Sequence, residues 1–396
     1  MSVHESSRSR VGELERRYLS GTFSELCRIE SPSGRERACA ERVIAELRAL
    51  GVSVEEDEAG AAIGCDCGNL LARIPGVRDA EPSSPRRSLL LCAHLDTVPL
   101  QAPIEPVQRD GSWENANEGI LGADNKAAVA VLLAVARNVS KEGAPVDLEL
   151  LFTVGEEISL AGARQFDTSR LASDFGYVFD HASPIGDVVL ASPTHYRLQA
   201  SFRGAAAHAG LHPEQGRSAI VAAARAIASL PLGRIDEDTT LNIGTIEGGT
   251  ALNVVPEACT VVGEVRSIDG ERAEALVAEV VDRMHEAANL PDCDCDVEVS
   301  VERTFTGYRL RPGSEAVTVA ESALRRCGRE PVQIVSGGGS DANALIAAGF
   351  ATVNLANGTE RAHEPGERVS VAALEEMLDV ALALLDEAAL SPAAAL

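Results

Sequence analysis

The residues that could do chemistry in this 396-residue chain stand where apolar runs stop. Residues 89–99 read LLLCAHLDTVP, a buried strand that ends in His94 and Asp96. Two positions apart on an extended backbone, these side chains point to the same side. A second run, 146–154, leads straight into Gly155-Glu156-Glu157, and a third, 175–179, into Asp180-His181. Asp124 opens an apolar helix, 127–139, at the end that favours a negative charge. A plain N-cap would account for Asp124 taken alone, and a surface loop for His94 and Asp96. In open α/β sheets, however, ligands lie beyond strand ends of this kind. Adjacent carboxylates at the end of a buried strand are costly unless solvated, protonated or paired with a cation. Several such ends together point to one polyacidic site that holds divalent metal.

A two-zinc centre needs about three protein ligands per ion with one carboxylate shared. His94, Asp124, Glu156, Glu157, Asp180 and His363 make a set of six. Five suffice if Asp124 bridges, and the acid left over is the right number for a general base on metal-bound water. Asp96 is close enough in sequence to orient His94. The stretch Ser336-Gly-Gly-Gly-Ser-Asp341 lacks the last glycine of a nucleophile elbow, Ala342 standing there, and lacks the G-K-[ST] ending of a P-loop. A turn around Gly338 that faces backbone N–H groups toward a substrate carboxylate or carbonyl fits it better.

The elements that must position these residues alternate between helix and strand. Helices are expected over 11–28 and 35–50, strands over 51–56 and 69–74, a solvent loop over 76–87, and irregular chain over 101–118. From 197 the texture changes to strand 197–204, helix 217–230, strands 239–245 and 258–267, helix 271–289 and strand 296–304. That is the β-α-β-β-α-β order of a ferredoxin-like module, inserted into the larger chain. Alternation then resumes with helix 315–327, strand 331–335, helix 342–348, strand 351–355, a loop 356–367 carrying His363, and helix 371–389. The expected domains are 11–195, 196–306 and 307–390. The first ten residues are expected to be disordered and the SPAAAL tail frayed.

Composition bounds the partners. The chain is 45% hydrophobic and 24% charged, with a net charge of −25, which argues against nucleic acid or an anionic membrane surface. No signal peptide or membrane-spanning run is legible. Nine cysteines, an odd number with several in apolar segments, read as reduced thiols of a cytoplasmic protein. The pairs Cys65-Asp66-Cys67 and Cys293-Asp294-Cys295 do not have the C-x2-C spacing of a structural zinc site and read as incidental. His181, His195, His212 and His285 have no motif role.

Taken jointly, the motifs resemble the M20 family of dinuclear zinc peptidases and deacylases, most closely its peptidase T-like branch. They are His94-Leu-Asp96-Thr-Val-Pro, Gly122-Ala-Asp124-Asn-Lys126, Gly155-Glu-Glu157, Phe179-Asp-His181, Ala207-His-Ala-Gly210 with Pro213-Glu214, Asn253-Val-Val-Pro256, Glu264-Val-Arg-Ser267, Gly338-Gly-Ser-Asp341 and His363. The resemblance runs in order from about residue 20 to 390. It implies an α/β fold: a zinc-exopeptidase-like three-layer catalytic domain with an inserted ferredoxin-like α+β domain serving as lid and dimerisation domain. It implies two Zn²⁺ per subunit, replaceable by Co²⁺ or Mn²⁺. One would be held by His94 and Asp180, the other by Glu157 and His363, with Asp124 bridging. Glu156 would be the general base on the water between the ions, and Asp96 would orient His94. His208 matches a lid histidine that stabilises the oxyanion, often across a homodimer. Asn253 and Arg266 match lid positions that hold substrate carbonyl and carboxylate groups, with an ion pair to Glu264 the other reading of Arg266. The implied activity is an exopeptidase, an aminopeptidase-like hydrolase of short peptides. An N-acyl amino acid deacylase is the alternative, and an inactive metal-binding homologue is disfavoured by the intact set.

Overall fold

A computed structural model describes residues 12–77 and 87–391. The start read as disordered, most of the loop read at 76–87, and all but the first residue of the SPAAAL tail lie outside the described residues. The chain divides into two compact units: residues up to 190 with 310–336 and 340 onward, and residues 191–309 with 337–339.

In the first unit the strands lie in the order Val54–Glu56, Leu70–Ile74, Asp147–Thr153, Ser88–His94, Phe175–His181, Thr352–Ala356, Asp187–Ser192, and Val332–Val335 also pairs with the last. The middle four run parallel, and antiparallel strands flank them. Parallel strands are covered on both faces, which is why their sequences are apolar runs rather than alternations. Ser88–His94 is buried at every position. Leu89, Leu91 and Ala93, with Leu148, Leu150, Phe152, Phe175, Tyr177 and Phe179, join the large core shared with helices Glu13–Arg28, Ala123–Glu142, Glu315–Arg326 and Val371–Leu390. The period of two then places His94, Thr153 and Asp180 on the opposite face, at the carboxyl ends of their strands. On that face the short helix Asp341–Ala347 packs, and Thr153 Oγ1 hydrogen-bonds the Asp341 carboxylate. Helix, sheet and helix make three layers.

Residues 101–118, expected to be irregular, contain a hairpin of Pro106–Arg109 and Ser112–Asn115. Its turn is Asp110-Gly111, both at positive φ (49° and 79°), the Asp-Gly pattern that a tight hairpin demands. The hairpin builds a four-stranded sheet with Arg368–Ser370 and Thr359–Glu360, so part of the loop expected at 356–367 is also strand. Among the described residues no helix is long and apolar enough to cross a membrane.

In the second unit the strand order is Gly233–Arg234, Thr239–Gly248, Ala258–Ser267, Thr194–Arg203, Asp296–Phe305, antiparallel throughout. Helices Ala219–Ser229 and Gly270–Ala288 pack on one face. This is the ferredoxin-like arrangement. Ala258–Ser267 alternates buried and half-buried positions, with Val261 and Val265 against the helices. Ser218 and Asp269 start the two helices by accepting hydrogen bonds from the backbone N–H of Val221 and of Glu271 and Arg272.

On the other face of this sheet, the Glu264 carboxylate meets His195 Nε2 at 2.9 Å and both ends of the Arg266 guanidinium at 3.1 Å. The His195 hydrogen bond and the Arg266 charge, working against partial burial, hold Glu264 down at about 2. Because the folded value lies below the unfolded one, this carboxylate stabilises the fold above about pH 4.5, and the contribution is lost as pH falls toward 2. Solvent screening keeps it to about 1–2 kcal/mol. Denaturant midpoints measured from pH 5 to about pH 2.5 should fall, and Glu264→Gln should flatten that slope.

Candidate metal centre

His94 is the last residue of its strand, and its ring is buried to 1% exposure. Nδ1 lies 3.0 Å from the Asp96 carbonyl oxygen and 3.4 Å from Asp96 Oδ1. Nε2 points the other way, 3.4 Å from Asp124 Oδ1 and 3.5 Å from Asp180 Oδ1. Asp96 is fully buried and does more than face His94. Its two carboxylate oxygens accept the backbone N–H of Glu156 and Glu157 at 3.0 and 3.1 Å and the Ser33 hydroxyl at 2.6 Å. One side chain thereby fixes both the imidazole and the turn that carries the adjacent glutamates.

Asp124 follows Gly122, whose φ of 74° is in the left-handed region that glycine tolerates best, and the regular helix begins only after Asn125. From there Asp124 lies between two histidines: Oδ1 near His94 and Oδ2 3.3 Å from His363 Nε2. His363 Nε2 also lies 2.9 Å from Glu157 Oε1. His363 comes from the far end of the chain and is half exposed at 49% of its side chain. Asp180 is oriented by Asn125 Nδ2, which donates to Oδ1 at 3.1 Å, and by Asn354, which bonds its backbone N–H and carbonyl.

Two donor sets result. His94, Glu156 and Asp180 have ligand atoms within 4.8 Å of one another, and so do Asp124, Glu157 and His363. Buried His94 Nε2, Asp124 Oδ1 and Glu157 Oε1 have no hydrogen-bond partner, a condition that costs free energy unless something else engages them. Imidazole nitrogen and carboxylate oxygen are the donors zinc takes in catalytic sites. The residues present therefore fit a pair of divalent cations. The electrostatics agree. Burial and the Asp124 charge push Asp180 up to about 8. Burial and the Asp180 charge push Glu156 well above its usual range. Burial and Asp124 raise Glu157. The Asp124 and Glu157 carboxylates beside it lift His363 to about 10. Burial would lower His94, but Asp180, Asp124 and Asp96 outweigh it and raise it. Carboxylates crowded this way either hold protons or hold cations.

The other expected site residues belong to the second unit. His208 is exposed, and its Nδ1 accepts the backbone N–H of Gly210 and Leu211, each at 3.2 Å, which leaves Nε2 carrying the proton and free to donate. Asn253 is pinned beside it, its carbonyl accepting Ala209 N–H at 3.0 Å. Arg266 makes the pair with Glu264 and a 3.3 Å contact to the Gly337 carbonyl. The Gly338 carbonyl accepts the Ser192 hydroxyl at 2.8 Å.

Sequence reasoning missed Ser33, Asn125, Asn354 and Glu367. Glu367 is buried, and its carboxylate accepts the backbone N–H of Leu121, Gly122 and Asp124, each at 2.8 Å, so it holds the turn that presents Asp124. Burial pushes it up to about 7 against those hydrogen bonds. Glu367→Ala would strand three N–H donors and should cost about 2–5 kcal/mol in chemical denaturation, with Glu367→Gln intermediate.

The family model of the peptidase dimerisation domain of M20 enzymes matches residues 194–290, and that of peptidase family M28 matches residues 69–207. Aminopeptidase PepT from Bacillus cereus is 35% identical, with 94% of this chain and 99% of that one covered at a TM-score of 0.83. A tripeptidase from Staphylococcus aureus is 32% identical, covering 95% and 99%, with a TM-score of 0.88. The uncharacterised protein YqjE of Bacillus subtilis is 35% identical over 93% of this chain and 97% of its own. Agreement at this level over nearly the whole length of each chain places the protein in the M20 family of peptidases, in its peptidase T-like branch.

Proposed function

We propose that the protein is an exopeptidase of short peptides that works at a two-zinc centre with Glu156 as general base. The observation that carries this reading is the meeting of the two donor sets at Asp124, whose two carboxylate oxygens face different histidines. His94 and Asp180 would hold one ion, Glu157 and His363 the other, with Asp124 shared. Co²⁺ or Mn²⁺ would serve in place of zinc. When bound, the cations polarise the scissile carbonyl and acidify the attacking water.

The chain's own residues do the rest. Glu156 takes the proton of the attacking water and returns it to the leaving amine. Its fixed position comes from the Asp96 hydrogen bond to its backbone N–H. Asp96 also holds the His94 ring so that Nε2 faces the acidic cluster. His208, with its proton on Nε2, suits donation to the oxyanion of the tetrahedral state. Asn253, Arg266 and the backbone at Gly338 would receive substrate carbonyl and carboxylate groups. The unit expected over 196–306 would act as lid and as the contact of a homodimer, supplying His208 across it, and the match to a dimerisation domain supports this. We place the protein in a reducing cytoplasm, as its odd number of cysteines, several in apolar segments, suggests.

Chelation should abolish turnover of tripeptides and Zn²⁺ should restore it. Glu156→Gln should keep its metal content and lose about 10²–10⁴-fold in kcat; retained turnover removes Glu156 from the base role. A screen of tripeptides, dipeptides and N-acyl amino acids separates the readings, since cleavage of N-acyl amino acids alone would make the protein a deacylase. A molar mass measurement that finds an active monomer would exclude His208 acting across a dimer.

A further inference from the structure

The Cys65-Asp66-Cys67 stretch reads as incidental in sequence because C-x-C is not a zinc spacing. The fold brings it a fourth group. Glu36, just ahead of helix Arg37–Ala49, is a fully buried carboxylate. Its Oε1 accepts the Gly155 N–H at 3.1 Å and lies 3.6 Å from Cys65 Sγ. Its Oε2 is buried without any hydrogen-bond partner. Glu36, Asp66 and Cys67 offer ligand atoms within 4.8 Å of one another. Cys67 is buried and Cys65 half-buried. Arg37, beside the group, has its guanidinium on the Glu56 carboxylate at 2.9 and 2.6 Å and on the Asp66 backbone carbonyl at 3.2 and 2.9 Å, and its backbone N–H fixes Asp66 Oδ1 at 2.8 Å.

We propose that Cys65, Cys67 and Glu36, with Asp66, bind a single thiophilic divalent cation of the zinc class, at a site that shares no residue with the His94–His363 centre. The donor set is two sulfurs and carboxylate oxygen, which favours Zn²⁺, Cd²⁺ or Co²⁺ over Mg²⁺ or Ca²⁺. Binding displaces the two thiol protons to solvent and leaves two thiolates on the ion, with no change in oxidation state. It gives the unpartnered Glu36 oxygen a ligand role in place of an uncompensated burial. Through Glu36 Oε1 the ion is tied to Gly155, the residue ahead of Glu156 and Glu157. The site is thereby a brace under the turn that carries the paired glutamates.

Cobalt tests this independently of the peptidase reading, because the residues of the His94–His363 centre offer no sulfur. The full-length reduced protein, stripped and then saturated with Co²⁺ without oxygen, should show a thiolate-to-cobalt charge-transfer band in the near ultraviolet. Cys65→Ser/Cys67→Ser should lose the band and about one equivalent of bound metal per chain. His363→Ala, which disturbs only the other centre, should keep the band. Should the double variant fail to fold, Cys65→Ser alone, at a half-buried position, should weaken the band. A saturated wild-type protein without the band, or a band that survives both cysteine substitutions, overturns the proposal.

Discussion

The Asp96 carboxylate is the interaction on which the rest of the site depends. It is completely buried, yet almost all of its hydrogen-bonding capacity is filled: two backbone N–H groups of the Glu156–Glu157 turn, the Ser33 hydroxyl and the His94 ring side. Satisfied in this way, a buried charge can be held below its usual range although burial opposes it. The neighbouring acids are in the reverse condition. Glu156, Glu157 and Asp180 stand at the same sheet edge with few donors: burial raises all three, joined by the Asp180 charge at Glu156 and the Asp124 charge at Glu157 and Asp180. One settled carboxylate holds the turn of two unsettled ones, Glu156 and Glu157. The unsettled ones are the groups with capacity left for a ligand.

The strand ends were legible because parallel strands must be apolar on both faces, so a polar residue at the end of such a run stands out. His94, Glu156, Glu157 and Asp180 could be read for that reason, and the inserted ferredoxin-like unit because its element order is distinctive. What could not be read was side-chain reach. Glu367 sits more than 240 residues from the N–H groups it accepts, in a segment whose composition reads only as loop. Asn354 lies inside an apolar strand and gives no sign that its amide brackets Asp180. The hairpin at 106–115 had a local signal in Asp110-Gly111, overlooked because the surrounding residues lack alternation. The role of Glu36 was hidden for the same reason as that of Glu367: its partners, Cys65 and Gly155, come from two other parts of the chain.

His195 and Arg266 illustrate a different limit. Sequence left Arg266 between a substrate group and an ion pair, and the ion pair with Glu264 is formed. His195, without a motif, completes the same cluster from the neighbouring strand. Alternation along a strand identifies which residues share a face, but not which of them find each other across it.

The sheet of the first unit also sets an order in time. Thr352–Ala356 lies between Phe175–His181 and Asp187–Ser192, so the latter gains this antiparallel neighbour only after the segment past residue 350 has been made. The second unit, by contrast, is nearly continuous in sequence, from 191 to 309. Leu310 N–H meets the Leu190 carbonyl at 2.7 Å, so the chain leaves and re-enters the first unit at one point. On a translating ribosome the guest is complete while its host still waits for its last third, and every nascent chain exposes an unfinished sheet edge during that interval.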